Sequence, residues 1–402
     1  MSNKKYWVWL QQVLGAGAKI DQFRNELKSA KLVYEMTPFE RYYSGVFTKR
    51  QLEKMDKFTL EEAEKIIISC EECGCQILTY EDEDYPKNLL LQRDAPLVLY
   101  YQGDVKLLNS KLKIAMVGTR NATLSGLTAT YRTAGALVKN DITVVSGGAI
   151  GIDGASHLGA VDNDGKTIVV MGCGFGATYH DSTETLRERI LEKGLIITEY
   201  IPNTAPLGRH FPVRNRIVAS LCDGLVVSEC PTKSGSMITV DLALKYEKNI
   251  FAIPVNVIDE SCSGAIELIK NKSAMIVCSP SDILKFYENS DKFKYEVTFP
   301  ALKSLYEMTE CADFSVVTRN KVVNKVPPQP EKEEKPFVQR EFSDLTDTEK
   351  TVYSFVTEEP KHVDKIIREI ESLSSTTVFL TLMQLECDNL VVSDSGKNYR
   401  KK

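Results

Sequence analysis

A glycine-rich stretch in the middle of the chain is the first candidate for chemistry. Residues 142–157 read ITVVSGGAIGIDGASH, so Gly147, Gly148, Gly151 and Gly154 follow directly on a run of β-branched residues. This order predicts a buried strand, a glycine turn and the start of a helix. Helix N-termini attract anions and glycines permit close approach, so the stretch predicts a phosphate-binding turn. A tight packing turn without a ligand is the open alternative.

Cationic side chains follow several further predicted strands. The carboxyl ends of parallel strands meet at one edge of a sheet, so we expect these cations to share a rim with the glycine turn. Guanidinium groups bind phosphate through two hydrogen bonds, and a helix start adds backbone N–H groups. Several such sites suit a ligand with several phosphates better than a mononucleotide. The candidate residues are Ser146, Gly147 and Gly148 in the turn, with Arg120, Arg209, Phe211, Arg214, Asn215, Arg216, Lys233, Ser234 and Gly235.

Two members of this set have an alternative role within the fold. Arg216 either binds phosphate or pairs with an acid such as Glu199, Glu229 or Asp241. Phe211 either stacks on an unpaired base, a contact worth about 1–3 kcal/mol per base, or packs within its own loop. The sequence does not choose between these roles.

Catalytic arrangements are weak in this sequence. Asp153 and His157 lie four residues apart on one predicted helix face, where they either orient an imidazole or, as we favour, brace the helix. His180 and His362 have no evident partner. No nucleophile elbow, metal triad or carboxylate pair is recognisable, and no G-x-G-x-x-G follows the first core strand. We therefore predict no catalytic residue, no metal site and no cofactor.

Length and composition set broad limits. The 402 residues are 43% hydrophobic and 26% charged, which is typical of a soluble globular chain of two to four domains. No apolar run reaches membrane-spanning length and an amphipathic pattern starts the chain, so we expect a cytoplasmic protein without membrane contact. Ten cysteines indicate reduced thiols, and Cys70, Cys73 and Cys75 are expected to pack at a helix end rather than bind metal. With a net charge of −5, nucleic-acid binding requires locally concentrated positive charge.

The elements that position the predicted rim alternate regularly over residues 113–278. Valine- and isoleucine-rich runs separated by helical patterns predict an α/β core, a doubly wound, extended Rossmann-like parallel sheet that binds ligands beyond its strand ends. The predicted strands are 114–118, 142–146, 167–172, 195–199, 225–229, 250–254 and 274–278, with a lead-in strand at 97–101 and a last helix at 281–287.

The chain divides by pattern into four parts. These are a small helical domain at 1–75, a Rossmann-like core at 76–290, a poorly placed segment with a disordered linker at 291–342, and a winged helix at 343–402. Capping boxes are predicted at Thr59 and Thr346.

The sequence allows two roles for each of the two flanking domains. The glycine turn at Gly15 and Gly17 either binds a DNA phosphate, as in a helix-hairpin-helix, or belongs to a small packing or SAM-like domain. We favour packing because only Lys19 adds charge there. The predicted third helix of the winged helix, 374–386, carries no Lys or Arg, and residues 343–402 hold 8 basic and 11 acidic residues. We therefore expect it to contact protein rather than duplex DNA.

Four motifs, in this order, resemble the DprA/Smf family of bacterial DNA-processing proteins. They are Val117-Gly118-Thr119-Arg120, Ser146-Gly147-Gly148-Ala149-Ile150-Gly151-Ile152-Asp153 with His157, Phe211-Pro212-Val213-Arg214-Asn215-Arg216, and Lys233-Ser234-Gly235-Ser236. Tyr85-Pro86 and Asp94-Ala95-Pro96-Leu97 are similar to the family's lead-in. The chain departs from the family at Pro254-Val255 and Gly264-Ala265-Ile266, where Pro-Gly and Gly-x-Asn are usual.

The resemblance implies a non-enzymatic protein that binds single-stranded DNA, protects incoming DNA and hands it to the recombinase RecA during natural transformation, as a homodimer. By motif, the implied phosphate contacts are Arg120, Gly147, Gly148, Arg214, Arg216, Lys233 and Ser234, with Phe211 near a base.

Two other functions suit the same fold. A nucleotide phosphoribohydrolase would carry a Pro-Gly-Gly-x-Gly-Thr loop with a following glutamate, which residues 231–239 lack. A nucleotide-sensing scaffold would bind mononucleotides but not oligonucleotides.

Overall fold

The computed structural model divides the chain into two compact units, Met1–Lys321 and Val322–Lys402. No helix within the described residues is both long and apolar enough to cross a membrane. Three predicted features lie outside the described residues: the linker, His180, and most of the segment that begins at residue 291. The structure describes residues 3–177, 184–255, 260–288, 312–318, 345–370, 372–388, 390–394 and 398–402.

Short helices precede the sheet, and threonines start three of them. Thr37, Thr48 and Thr59 each accept a hydrogen bond from the backbone N–H three residues on, and the side chain at that position returns one. The predicted capping box at Thr59 is confirmed. The elements are α1 (Lys4–Leu14), a π-helical turn (Phe23–Leu27), α2 (Ala30–Glu35), α3 (Pro38–Tyr43), α4 (Lys49–Lys57) and α5 (Leu60–Glu72).

Nine strands form one mixed sheet in the order β1-β2-β6-β5-β4-β3-β7-β8-β9. The seven strands from β3 to β9 pair in parallel, while β2 is antiparallel to both β1 and β6. All seven parallel strands lie where the sequence predicts them, because strands buried on both faces read as continuous apolar runs. The strands are β1 (Gln76–Thr79), β2 (Val98–Gly103), β3 (Lys113–Val117), β4 (Thr143–Ser146), β5 (Thr167–Met171), β6 (Leu195–Thr198), β7 (Gly224–Val227), β8 (Asn249–Ala252) and β9 (Met275–Ile276).

Helices cover both faces of this sheet. Alternate residues of β3 point to opposite faces, so that Ile114 packs with α7, α8 and α13 while Ala115 packs with α10 and α11. The α/β, Rossmann-like fold class is confirmed. The helices are α6 (Lys87–Leu90), α7 (Leu124–Lys139), α8 (Ile152–Asp162), α9 (Glu184–Leu191), α10 (His210–Leu221), α11 (Gly235–Lys245), α12 (Ser263–Lys270) and α13 (Pro280–Glu288), with 3-10 turns at Val105–Asn109 and Glu260–Cys262.

The glycine turn that follows α1 packs against the core. The Gly17 N–H donates to Glu199 Oε1 at 3.3 Å, and a Cβ at Gly17 would lie 3.1 Å from Val213. This amide is therefore used inside the protein, which is the packing role favoured from the sequence.

Residues 312–318 pack against α8 through a 3-10 turn, Phe314–Val317. The Gly151 N–H donates to the Val317 carbonyl at 2.7 Å, and the Phe314 ring meets Tyr131 edge-on at 5.8 Å. A short piece of chain from beyond the sheet therefore closes over the glycine-rich turn.

The second unit contains three helices and a three-stranded antiparallel sheet. Its helices are α14 (Asp347–Phe355), α15 (Val363–Glu369) and α16 (Ser375–Cys387), and its strands are β10 (Lys361–His362), β11 (Val391–Asp394) and β12 (Asn398–Lys401), in the order β10-β12-β11. The predicted capping box at Thr346 is confirmed. The three helices and the terminal hairpin lie where they are expected, and the winged-helix assignment itself stays a prediction.

A buried ion pair joins α10 to the rest of the first unit. Arg216 Nη2 donates to Glu199 Oε2 at 2.5 Å, and Arg216 Nε lies 3.8 Å from Asp94 Oδ2. Glu199 Oε1 also accepts from Gln11 Nε2 at 3.1 Å and from Gly17. Burial raises the pKa of Glu199, and the charge of Arg216 and these N–H donors oppose that rise. One carboxylate thus connects α1, its glycine turn and α10.

Replacing Arg216 tests this pair, because removing one partner leaves the other charge buried. Arg216→Met is expected to lower the free energy of unfolding by about 3–5 kcal/mol. Denaturant unfolding measures the loss. Arg209→Met, which changes an exposed arginine just before the same helix, is the matched control and should stay within about 0.5 kcal/mol of the parent. Equal losses in both variants would contradict the assignment.

Candidate functional site

A cavity of about 520 Å³ opens at the carboxyl ends of β3 and β7. These two strands are neighbours where the strand order reverses, the position at which open α/β sheets bind ligands. Its walls come from the loops after β3, β4 and β7 and from the first turns of α10 and α11. The predicted site residues that line it are Arg120, Gly147, Phe211, Arg214, Asn215, Lys233, Ser234 and Gly235.

Two exposed cations stand on different walls of this cavity. Arg120 follows β3 and Lys233 follows β7. Within the ranges that the structure describes, neither side chain forms an ion pair with a carboxylate. Both cations are therefore exposed at the mouth of the cavity without a carboxylate partner among the described residues, although the domain as a whole is neutral, with 16 basic and 16 acidic residues over 112–278.

The Phe211 ring forms part of the wall between these loops. The guanidinium carbon of Arg120 lies 4.9 Å from the ring centroid, and that of Arg214 lies 5.8 Å from it. A Cβ at Gly172 would lie 2.9 Å from Phe211 Cδ1, so the ring packs closely on that backbone. The ring is thus held in place by packing and by two cation–π contacts while it still faces the cavity.

Arg214 is a buried member of the wall and is bonded within the protein. Its Nη1 donates to the carbonyl oxygens of Gly147 and Val170, and the residue is 4% exposed. A Cβ at Gly147 would lie 2.6 Å from both the Arg214 guanidinium and Asp153 Oδ2. Burial raises the pKa of Asp153, while the charge of Arg214 and the Ala149 N–H act against the rise. Gly147 is therefore required for the approach of these two charged groups.

At the start of α8, two N–H groups are bonded within the protein. The Gly151 N–H donates to Val317, and the Ile152 N–H donates to the Thr119 carbonyl at 3.1 Å. The buried Asp153 carboxylate occupies the inner side of the turn. Two N–H groups at this helix start therefore have internal partners, and the phosphate-binding turn stays a prediction.

Four predicted residues lie outside the cavity wall. The Ser146 hydroxyl is buried and donates to the Met116 carbonyl at 2.6 Å. Gly148 has a φ of +71°, which a glycine adopts without strain. Arg209 is exposed at the residue before α10. The Arg216 guanidinium and the Ser146 hydroxyl are both buried and bonded within the protein, and the DNA contacts expected of them stay predictions.

Hydrogen bonds between loops set the shape of the cavity. Asn215 Nδ2 donates to the Gly235 carbonyl at 3.3 Å, and its Oδ1 accepts from Arg214 Nε at 3.2 Å. The Ser236 hydroxyl donates to the Gly118 carbonyl at 2.7 Å. These bonds tie α10, the start of α11 and the loop after β3 to one another.

Sequence reasoning missed the apolar part of the wall. Ile238 and Thr239 line the cavity, and Ile238 remains 40% exposed although it is apolar. Ile238 lies three residues after Gly235 and Thr239 lies four residues after it, so both share a face of α11 with Gly235. That spacing is the signal that could have identified them.

His157 is a buried, neutral side chain. Its Nδ1 lies 2.7 Å from Thr167 Oγ1, and that hydroxyl donates to the Val144 carbonyl at 2.9 Å. His157 Nδ1 must therefore be the protonated nitrogen. Burial lowers the pKa of His157 to about 3, with the charges of Arg214 and Arg187 adding to the effect. The ring joins α8 to β5, which agrees with the bracing role favoured from the sequence.

Comparison with known proteins matches the region that carries the cavity. The family profile described as DNA recombination-mediator protein A matches residues 76–288. The chain is 39% identical to DNA processing protein DprA of Streptococcus pneumoniae over 207 residues, 52% of this chain and 72% of that protein. It is 28% identical to Protein Smf of Synechocystis sp. over 419 residues, 100% of this chain and 99% of that protein. The X-ray structure of DprA from S. pneumoniae matches with a TM-score of 0.61 at 31% identity, covering 71% of this chain and 98% of the solved one.

The neutral state of His157 predicts how stability depends on pH. Between pH 3 and about 6.5 the unfolded chain binds a proton that the folded histidine does not, so the free energy of unfolding rises with pH across this window, by up to about 1.4 kcal/mol per pH unit from this group. His157→Gln should flatten the slope measured by denaturant unfolding, whereas His362→Gln should not. An identical slope in His157→Gln and the parent would disprove the assignment.

Proposed function

Because the chain belongs to the DprA/Smf family of DNA recombination mediators, we propose that it binds single-stranded DNA, protects incoming DNA and delivers it to the recombinase RecA during natural transformation. The S. pneumoniae relative, matched both by sequence and by structure, is named a DNA processing protein. The proposal includes a homodimer as the binding form and a mediator role without catalysis. Delivery to RecA is tested by adding the protein to RecA-driven strand exchange on single strands that are coated with a single-strand-binding protein. The protein should shorten the lag before strand exchange begins.

One observation carries the DNA-binding part of the proposal. Arg120 and Lys233 project from different loops at the mouth of one cavity, with the Phe211 ring between the loops. Two separated cations suit successive phosphates of a polymer, since each binds one anionic group. An aromatic ring beside them suits the face of a base.

The shape of the cavity favours an unpaired strand. Its wall includes Phe211, Pro212 and Ile238, which offer apolar surface within a concave site. A base can enter such a site only when it is free of a duplex stack, because a flipped base costs a few kcal/mol of lost stacking and pairing. A single strand presents its bases without that cost.

The internal contacts of the ionisable groups at the site support a mediator role without catalysis. Asp153 is the carboxylate of the cavity wall, and it is held beside Arg214 at the glycine turn. His157 is bonded to Thr167 and is 1% exposed. Both groups thus have internal partners, whereas a general base has to reach its substrate.

Charge reversal at the two exposed cations tests the cavity as the DNA site. Arg120→Glu and Lys233→Glu should each weaken binding of a fluorescent single strand at least about tenfold, since a hydrogen bond to a charged group contributes about 1.5–3 kcal/mol. Fluorescence anisotropy measures the affinity. Both residues are exposed, so the melting temperature should hardly change.

Lys245→Glu is the matched control, because this exposed lysine lies at the far end of α11 from the cavity. It makes the same charge change and should leave binding intact. Equal loss in all three variants would point to net charge rather than to the cavity.

Release of free base from a nucleoside monophosphate, abolished by Asp153→Asn, would instead support the phosphoribohydrolase alternative.

Salt dependence gives an independent measure of the phosphate contacts. Arg120→Gln and Lys233→Gln should each reduce the slope of log K against log salt concentration by about 0.7, the value for one phosphate contact on a single strand. Titrations at several salt concentrations supply the slopes. A slope that is unchanged in both variants would mean that neither residue contacts a phosphate.

A further inference from the structure

An exposed aromatic cluster lies on α3, in the helical region before the sheet. Phe39, Tyr42 and Tyr43 are 68%, 66% and 68% exposed. Large aromatic side chains usually bury most of their area, so three adjacent exposed rings form an unusual surface. The same rings pack on one another: the Phe39 and Tyr43 centroids lie 4.2 Å apart, and those of Tyr42 and Tyr43 lie 5.3 Å apart. The outer faces of this aromatic cluster are open to solvent.

Internal contacts fix the cluster in its outward position. Arg41, the cation of α3, turns inward: its Nε donates to the Val33 carbonyl at 3.1 Å and its Nη2 to the Tyr34 carbonyl at 2.5 Å. Its guanidinium also lies over the Trp9 ring at 5.5 Å. Because Arg41 is anchored in this way, α3 is held with Phe39, Tyr42 and Tyr43 on its exposed side.

Positive charge follows the cluster in sequence and in space. The next helix, α4, packs beside α3 and begins with Lys49 and Arg50, both exposed. Cations in the first turn oppose the helix dipole, and α4 has no acid in that turn to offset them. Among the described residues neither cation forms an ion pair. An anionic ligand would compensate this unfavourable placement.

Glu40, the acid of α3, is bonded at the start of its own helix. The Glu40 carboxylate accepts hydrogen bonds from the Thr37 N–H at 2.7 Å and from the Thr37 hydroxyl at 2.9 Å. These bonds lower the pKa of Glu40 and hold its charge at the helix start. Glu40 therefore stays charged and is held at the start of α3, where a negative charge favours the helix dipole.

We propose that the aromatic cluster is a second contact surface for single-stranded DNA, with bases stacked on the rings of Phe39, Tyr42 and Tyr43 and phosphates bound by Lys49 and Arg50. Aromatic faces combined with cations are the surface that binds unpaired strands without sequence preference. The inference rests on the proposed function, since it extends the DNA contact beyond the cavity. A second copy of the chain would use the same rings, and the test below separates the two cases.

Oligonucleotide length distinguishes the two surfaces. A short single strand should bind through the cavity alone, whereas a long one should bind more tightly by reaching the cluster. The triple variant Phe39→Ala, Tyr42→Ala, Tyr43→Ala is expected to weaken binding of the long strand at least about tenfold, from the stacking lost per base, while binding of the short strand stays unchanged. Anisotropy titrations of the full chain measure both affinities.

Two control variants separate stacking from other effects. Tyr42→Phe with Tyr43→Phe keeps the rings and should bind the long strand as the parent does. Leu91→Ala removes an apolar side chain that is 77% exposed elsewhere on the unit and should have no effect. Photocrosslinking with bromodeoxyuridine strands should label the peptide that contains Tyr42 and Tyr43.

The outcomes distinguish this inference from the proposed function. If Lys233→Glu abolishes binding of both strands while the triple variant binds the long strand like the parent, the function stands and the aromatic cluster is not a DNA surface. If Lys233→Glu leaves short-strand binding intact, the proposed function itself fails. If the triple variant changes the mass measured by light scattering without changing long-strand affinity, the cluster is an interface between copies and the inference is overturned.

Discussion

Two buried guanidinium groups on one helix hold the functional end of the sheet together. Arg214 and Arg216 lie two residues apart on α10, so they leave the helix in different directions. Arg216 meets Glu199 beyond β6, whereas Arg214 meets the carbonyl oxygens of Gly147 and Val170 after β4 and within β5. A buried charge without partners is strongly unfavourable, so both sets of contacts have to form together. The position of α10, and with it that of Phe211 and Asn215, follows from this requirement.

The same requirement determines which charges face solvent. Asp153 lies beside Arg214, and Glu199 pairs with Arg216. Glu229 accepts hydrogen bonds from the Thr123 N–H at the start of α7 and from the Ser261 hydroxyl. The acids near the strand ends are thus neutralised or bonded internally, and the exposed cations keep their field at the cavity mouth. A domain with no net charge can therefore present a local positive surface.

The sequence could predict the sheet because its signals are local, and it could not predict partners, which depend on distant residues. Each parallel strand from β3 to β9 carries its own apolar run, and cations at strand ends share an edge by topology alone. By contrast, the sequence shows that Arg216 is a cation but not that Glu199, 17 residues away, faces it. The sequence likewise does not show that the Gly151 N–H bonds to Val317, which lies far along the chain in a segment too short to show periodicity.

The size of the cavity limits what it can contribute to binding a long polymer. A site of about 520 Å³ accommodates a ligand of drug size, so a long strand bound there leaves most of its length outside. Further affinity must come from other surfaces, and each acts on a strand whose local concentration is already raised by the first contact. Weak stacking on exposed rings can then raise the affinity for long strands by a large factor and leave the affinity for short strands unchanged. On the proposed function, discrimination by length would follow from separating two modest sites on one compact unit rather than from strengthening either of them.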